Sequence, residues 1–210
     1  MTTVEARDLG YVVDGRTIFD GVNLRVSSGE AIAVLGPSGA GKTSLLAILA
    51  GLAQPTSGQV LVDGEPLRHA LPKGFVLVLQ GYGLMSLLTA RENIEAALRA
   101  QGRRPSLARA TAATWLAELG LKEHGGHLVE DLSGGQQQRV AVARALALEP
   151  VVVIADEPTA EQDAVARALV MRKLLDVTAG GGILVLATHD AAVAELCTSS
   201  VRLHGAAASA

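Results

Sequence analysis

Residues 36–43, Gly36-Pro37-Ser38-Gly39-Ala40-Gly41-Lys42-Thr43, are of types and spacing that can hold phosphate. They fit Gly-x-x-x-x-Gly-Lys-[Ser/Thr]. Glycines let the loop wrap closely, so that successive backbone N–H groups point inward at an anion. A helix beginning after the loop adds partial positive charge. Lys42 would reach the β- and γ-phosphates of a nucleotide, and the Thr43 hydroxyl would ligate Mg²⁺. Two acids, Asp156 and Glu157, follow the apolar run Val151–Ala155. An acid at the carboxyl end of a buried parallel strand lies where open α/β sheets bind ligands. Asp156 would hold Mg²⁺ through water. Glu157 would orient or deprotonate an attacking water, help that is typically worth ~10²–10⁴ in rate.

These groups need elements to place them. Ala31–Leu35 is a short apolar run closed by Gly36, and it is expected as a buried strand. Lys42–Leu52 has helical spacing and is stopped by Gly51 and Pro55. Strands are also expected at Thr3–Leu9, Val22–Val26, Val60–Val62, Phe75–Leu79, Val151–Ala155 and Ile183–Ala187, with turns at Asp14-Gly15 and Asp63-Gly64. Leu84–Leu132 changes character. It is rich in Ala, Leu, Arg and Glu, and the spacing predicts helices at Arg91–Ala100 and Ser106–Leu119. Further helices are expected at Gln136–Leu148, before Pro150, and at Asp163–Val177, before Gly180–Gly182. Helices alternating with apolar strands imply an α/β domain with a largely parallel sheet. The tail Gly205–Ala210 has only small residues and is expected to fray.

Composition sets further limits. The 210 residues are 49% hydrophobic and 19% charged, enough for a real core. Aromatics are 2%, so aliphatic side chains must fill it. The formal net charge of -3 argues against a nucleic-acid partner, which needs a basic face. Cys197 is the single cysteine, which rules out an internal disulfide framework and fits a reducing compartment. The N-terminus does not read as a signal peptide. No apolar stretch reaches the ~18–20 residues that span a bilayer. The expected location is the cytoplasm, with any membrane role coming through a partner. His124 and His127 flank two glycines without a nearby cysteine and read as structural; Cys197, beside Val193 and Leu196, reads as core on a helix face. Arg103-Arg104 reads as a small exposed charge pair.

Leu132-Ser133-Gly134-Gly135-Gln136 adds a specific pattern. With it the chain resembles the ATP-binding subunit of the ATP-binding-cassette (ABC) family, over nearly its whole length and in the family's motif order. The resemblance implies that Tyr11 stacks on adenine, that Gly36–Thr43 is Walker A and that Gln80 is the Q-loop glutamine touching Mg²⁺ and water. It implies that Leu132–Gln136 is the signature, that Val152–Glu157 is Walker B with its catalytic glutamate, that Asp163 is the D-loop aspartate, and that His189 is the switch histidine at the γ-phosphate, which also steadies Glu157. The 23 residues from the signature to Walker B, and the 32 from Glu157 to His189, are more discriminating than Walker A alone. Ser133 also reads as the N-cap of the following helix. The two readings agree, because such a helix start offers N–H donors to a phosphate.

The implied fold is a P-loop NTPase core with a mostly parallel sheet, an N-terminal antiparallel β lobe and an inserted helical subdomain. The core is expected at about 1–83 and 149–210, and the subdomain at about 84–148. The implied activity is ATP hydrolysis to ADP and phosphate, with ATP and Mg²⁺ bound. Two subunits would sandwich two ATPs head to tail. Ser133, Gly134, Gly135 and Gln136 of one subunit would face the phosphate held by the other. The pair would drive a separate membrane permease docked near Gln80–Asn93, at the inner face of the membrane. With about 20 residues after His189, a C-terminal regulatory domain is not expected. It resembles the short subunits of bacterial macrolide-export and lipoprotein-release systems. Two alternatives are a soluble ABC ATPase uncoupled from transport, and a module that uses nucleotide only as a clamp. The first usually carries a coiled coil or second cassette; Glu157 and His189 oppose the second. Two departures stand out. Ala160-Glu161-Gln162 replaces the family's Ser-Ala-Leu before Asp163, and Ser86 replaces a proline after Gln80.

Overall fold

The structure is a computed structural model describing residues 1–67 and 71–204. The tail Gly205–Ala210, expected to fray, lies outside the described residues. The chain divides into two compact units. The first takes in Met1–Leu77, Val151–Glu157 and Leu175–Ala210, and the second Val78–Pro150 and Pro158–Leu174. The second unit is thus wider than an insertion at 84–148.

The first unit contains an antiparallel sheet of β1 (Thr3–Val13), β2 (Arg16–Ser27), β4 (Ser57–Val62) and β5 (Glu65–Pro66), ordered β2-β1-β4-β5. Asp14 and Gly15 both have positive φ, the geometry of a hairpin turn whose twist suits the flanking strands. Pairing continues to Val13 and Arg16, well past the apolar runs. The strands are therefore longer than expected, because a tight turn carries the ladder through exposed residues. The other sheet runs β6-β7-β8-β3-β9. It holds β3 (Ala31–Leu35), β6 (Phe75–Val78), β7 (Val152–Asp156), β8 (Ile183–Thr188) and β9 (Ser199–Arg202). β7, β8, β3 and β9 pair in parallel. β7 and β8 are buried throughout, as strands covered on both faces must be. β9 is mostly exposed and has no apolar run, so no periodic signal marked it. Helix α1 (Lys42–Leu49) packs Leu45, Leu46, Ile48 and Leu49 into a core with Leu9, Phe19, Ile154 and Val185.

The second unit packs α2 (Ala90–Ala100), α3 (Pro105–Glu118) and α4 (Gly134–Ala147) together. Ile94, Leu98, Leu116 and Val140 are buried there. Thr89 caps α2 and Ser133 caps α4, each in a capping box with Glu92 or Gln136. Helix α5 (Ala164–Ala179) starts where the Asp163 carboxylate accepts from Ala166 N–H. The next helix, α6 (Ala191–Ala194), is only four residues long. Cys197 lies beyond it, half-buried, and Leu196 is exposed. This corrects the expected core position, because the helix ends before its apolar face can extend that far. Burial still pushes the Cys197 thiol up to about 11.

Asn93 is fully buried on α2. Its amide oxygen accepts from Met85 N–H at 2.8 Å, and its amide nitrogen donates to the Met85, Leu88 and Thr89 carbonyls. One side chain thus pins residues 85–89 to the helix. Asn93→Ala would orphan these groups, and buried unsatisfied groups cost about 1–3 kcal/mol. The expected result is a lower urea midpoint by about that much. An unchanged midpoint would show that the segment is held by other contacts.

Candidate functional site

Three neighbouring parallel strands, β7, β8 and β3, end together in the first unit. Each delivers chemistry at its carboxyl end. β3 runs into Gly36–Thr43, β7 ends on Asp156 with Glu157 next, and β8 ends on Thr188 with His189 next. Parallel pairing explains how residues distant in sequence meet. Asp156 pairs with Ala187, and Glu157 N–H donates to the Ala187 carbonyl at 3.0 Å.

The loop's shape depends on glycine at Gly41. Its φ is 91°, and a Cβ there would lie 2.6 Å from Ile18 Cγ2 and 2.9 Å from Phe19 Cδ1. Any other residue meets both strain and collision. α1 then begins at Lys42 with Gly41 as its cap residue. The Lys42 ammonium donates to the Gly36 carbonyl at 2.8 Å and to the Pro37 carbonyl at 3.2 Å. It also lies 3.7 Å from Glu157 Oε1. Lys42 is only 9% exposed and Glu157 8%. A cation held this close to the loop is placed for an anion in the loop.

Asp156 is 3% exposed, and its Oδ2 accepts from the Thr43 hydroxyl at 2.6 Å. Burial raises its pKa, and the neighbouring Glu157 charge pushes the same way. The Thr43 bond and Lys42 oppose the rise. Glu157 sits in the left-handed region at φ 48°, where a non-glycine residue is strained. Its Oε1 is 2.9 Å from His189 Nδ1, whose side chain is largely exposed. The resemblance implies that His189 steadies Glu157, whereas the strained backbone carries no signal in the sequence. Tyr11 stacks on Phe19 with ring centroids 5.9 Å apart. Phe19 in turn packs beside Gly41, which puts Tyr11 on the flank of the loop.

The second unit carries the remaining candidates. Gln80 follows β6 and is exposed. Ser133 Oγ accepts from Gln136 N–H at 3.3 Å, and Gln136 Oε1 accepts from Ser133 N–H at 2.9 Å. Gln136 Nε2 lies 2.9 Å from His124 Nε2. Asp163 caps α5. Sequence reasoning missed Tyr82, Gln138 and Arg144. Tyr82 donates to Glu161, Gln138 accepts from Gln162, and Arg144 donates to the carbonyls of Tyr82 and Gly83. Only the departure at 160–162 could have pointed to them.

The sign of the Asp156 shift gives a test of stability. A carboxyl with a raised folded pKa costs nothing below its unfolded value of about 4, and stability falls as pH rises through the folded value. Asp156→Asn removes that cost and can still accept from Thr43. The expected variant is more stable than the parent at pH 7 in urea melts. Its advantage should shrink toward pH 4. A gain that grows as pH falls would contradict the burial account.

Comparison with known proteins follows the same geometry. A family model described as ABC transporter matches residues 19–160, more than half of the chain. An uncharacterized ABC transporter ATP-binding protein of Mycobacterium tuberculosis is 40% identical over 208 residues, covering 95% of this chain and 62% of the relative. The chain thus spans less than two thirds of that relative's length. The lipoprotein-releasing system ATP-binding protein LolD of Aquifex aeolicus is 37% identical, covering 92% of this chain and 90% of the relative. Among solved structures, a dimeric post-hydrolysis state of the ATP-binding cassette MJ0796, bound to ADP and Pi, has a TM-score of 0.86 at 31% identity. That match covers 95% of this chain and 94% of the cassette.

Proposed function

The chain belongs to the ABC transporter family, as an ATP-binding component, and on that premise we propose that it hydrolyses ATP to drive a separate membrane permease. The observation that carries this reading is the convergence of Lys42, Thr43, Asp156, Glu157 and His189 at three adjacent strand ends. In this reading the β- and γ-phosphates sit in Gly36–Thr43, against the loop N–H groups. Lys42 turns from the Gly36 and Pro37 carbonyls to those phosphates, and Tyr11 stacks on the adenine. The Thr43 hydroxyl and the buried Asp156 carboxylate are hard oxygen donors and fit Mg²⁺. When bound, Mg²⁺ would neutralise phosphate charge. Glu157 orients a water against the γ-phosphorus and takes its proton as the new P–O bond forms. The bond to the bridging oxygen breaks, and its electron pair leaves with ADP. His189 steadies the Glu157 carboxylate through the 2.9 Å contact and reaches the γ-phosphate.

Two such chains would close on ATP, the signature of each meeting the γ-phosphate held by the other. The MJ0796 cassette is dimeric, which supports this arrangement. Asp163 would face the partner across the same interface. The exposed Leu79, Met85 and Leu87 in and beside Gln80–Asn93 support a docking surface for an apolar permease segment. Among the described residues no helix is long and apolar enough to cross a membrane. The protein would then work at the inner face of the membrane.

Glu157→Gln keeps the shape of the site and removes its proton acceptor. Its phosphate release should fall by about 10²–10⁴, the usual worth of a general base. Its ATP binding should persist, and light scattering should show a dimer with ATP but not with ADP. Ser133→Arg in the same chain should abolish that dimer and spare ATP binding. Parental phosphate release by Glu157→Gln would overturn the role of the carboxylate.

A further inference from the structure

Glu161 stands where the family has a small apolar residue, and its carboxylate has two neighbours of consequence. Tyr82 donates its phenol proton to Glu161 Oε1 at 2.6 Å. Glu161 Oε2 occupies the space that a Cβ on Gly134 would need, so it rests directly on the first residue of α4. The Tyr82 oxygen would itself lie 3.2 Å from such a Cβ. Gln162 fixes the rest of the loop. Its amide donates to the Gly135 carbonyl at 2.8 Å and to Gln138 Oε1 at 2.9 Å. Tyr82 is held in turn. Its backbone is left-handed at φ 61°, and the Arg144 guanidinium grips the carbonyls of residues 82 and 83. Burial, with the bond to Glu161, pushes the Tyr82 phenol up to about 12, so it remains a donor at neutral pH.

We propose that Glu161 is a positioning residue that guards the signature: Tyr82 holds its carboxylate at the start of α4, where it competes with the γ-phosphate brought by the partner subunit. The inference rests on the sandwich reading above. A helix start favours one negative group, and two anions there repel each other. Closure on ATP must therefore displace Glu161 or bear its charge. The tether belongs to residues 79–83, at the head of the segment assigned to the permease. A permease that moves this segment would break the Tyr82 bond and free the signature. The guard thus gives the loop at 80–83 a direct hold on the partner's ATP site.

The test uses the full chain in the Glu157→Gln background, with ATP titrated against dimer content by light scattering. Glu161→Gln keeps the size and can still accept from Tyr82, but it removes the charge. It should lower the ATP needed for half-maximal dimer by roughly two- to fivefold, the range expected for one charge at a helix terminus. The gain should be larger at low salt. Tyr82→Phe should shift it in the same direction, and the double variant should gain no more than Glu161→Gln alone. ADP affinity of the monomer should stay unchanged in all three, whereas damage to the fold would move it. A dimer whose ATP requirement is unchanged or raised by Glu161→Gln overturns the guard and leaves the sandwich standing. No ATP-dependent dimer in any variant overturns the sandwich, and the guard with it.

Discussion

A carboxylate almost wholly removed from water, at the end of an apolar strand, is the constraint on which the first unit depends. Asp156 closes β7, and its partner is the Thr43 hydroxyl on the first turn of α1. A buried charge is costly unless it is paired or hydrogen-bonded. Here the bond also fixes distance. It ties the loop after β3 to the end of β7, across β8, so residues 36–43 keep their position relative to Glu157. Burial raises the pKa of Asp156, and the Thr43 bond and Lys42 work against that rise. Lys42 and Glu157 extend the same logic. Each is buried, and each moderates the other at 3.7 Å. Removing either takes an opposite charge from the other in a buried setting, where that loss costs more than at a surface.

Backbone strain marks the same places. Asp8, Asp14 and Asp63 also have positive φ, but aspartate tolerates that region through local hydrogen bonding. Glu157 and Tyr82 have no such excuse. Such conformations cost about 1–3 kcal/mol and persist only where the surroundings over-determine them. At Glu157 the surroundings are the β8 carbonyl at Ala187 and the His189 ring. At Tyr82 they are Arg144 and Glu161. Glu149, at φ 53°, is a further residue of this kind in the second unit, where its carboxylate pairs with Arg103.

The sequence made the local features legible, because their causes are local. Gly36–Thr43, Asp156 and the N-cap at Ser133 depend on spacing within a few residues, and the periodic runs marked β3, β7, β8 and α1. What escaped depends on pairing between distant segments. The Glu157–His189 contact, implied by the family resemblance and not by any local pattern, spans 32 residues and exists because β7 and β8 are neighbours in register. The hairpin of β1 and β2 runs through exposed residues that carry no alternating pattern. β9 is an exposed edge, and α6 is too short to show a period. Tyr82 and Glu161 are 79 residues apart, and only the loop between β7 and α5 brings them together. The unusual Glu161 was visible as a departure, but its partner was not.

In the proposed function, Thr43 and Asp156 hold a cation that belongs to the nucleotide. Calorimetric titration of ATP into the parent chain and into Thr43→Val, each with and without Mg²⁺, tests it most directly. Val removes the hydroxyl ligand at nearly constant volume and leaves Lys42 and the loop N–H groups in place. ATP affinity is expected to rise on adding Mg²⁺ in the parent, and to respond far less in Thr43→Val. Equal Mg²⁺ dependence in the two chains, or no ATP binding by the parent, would contradict it.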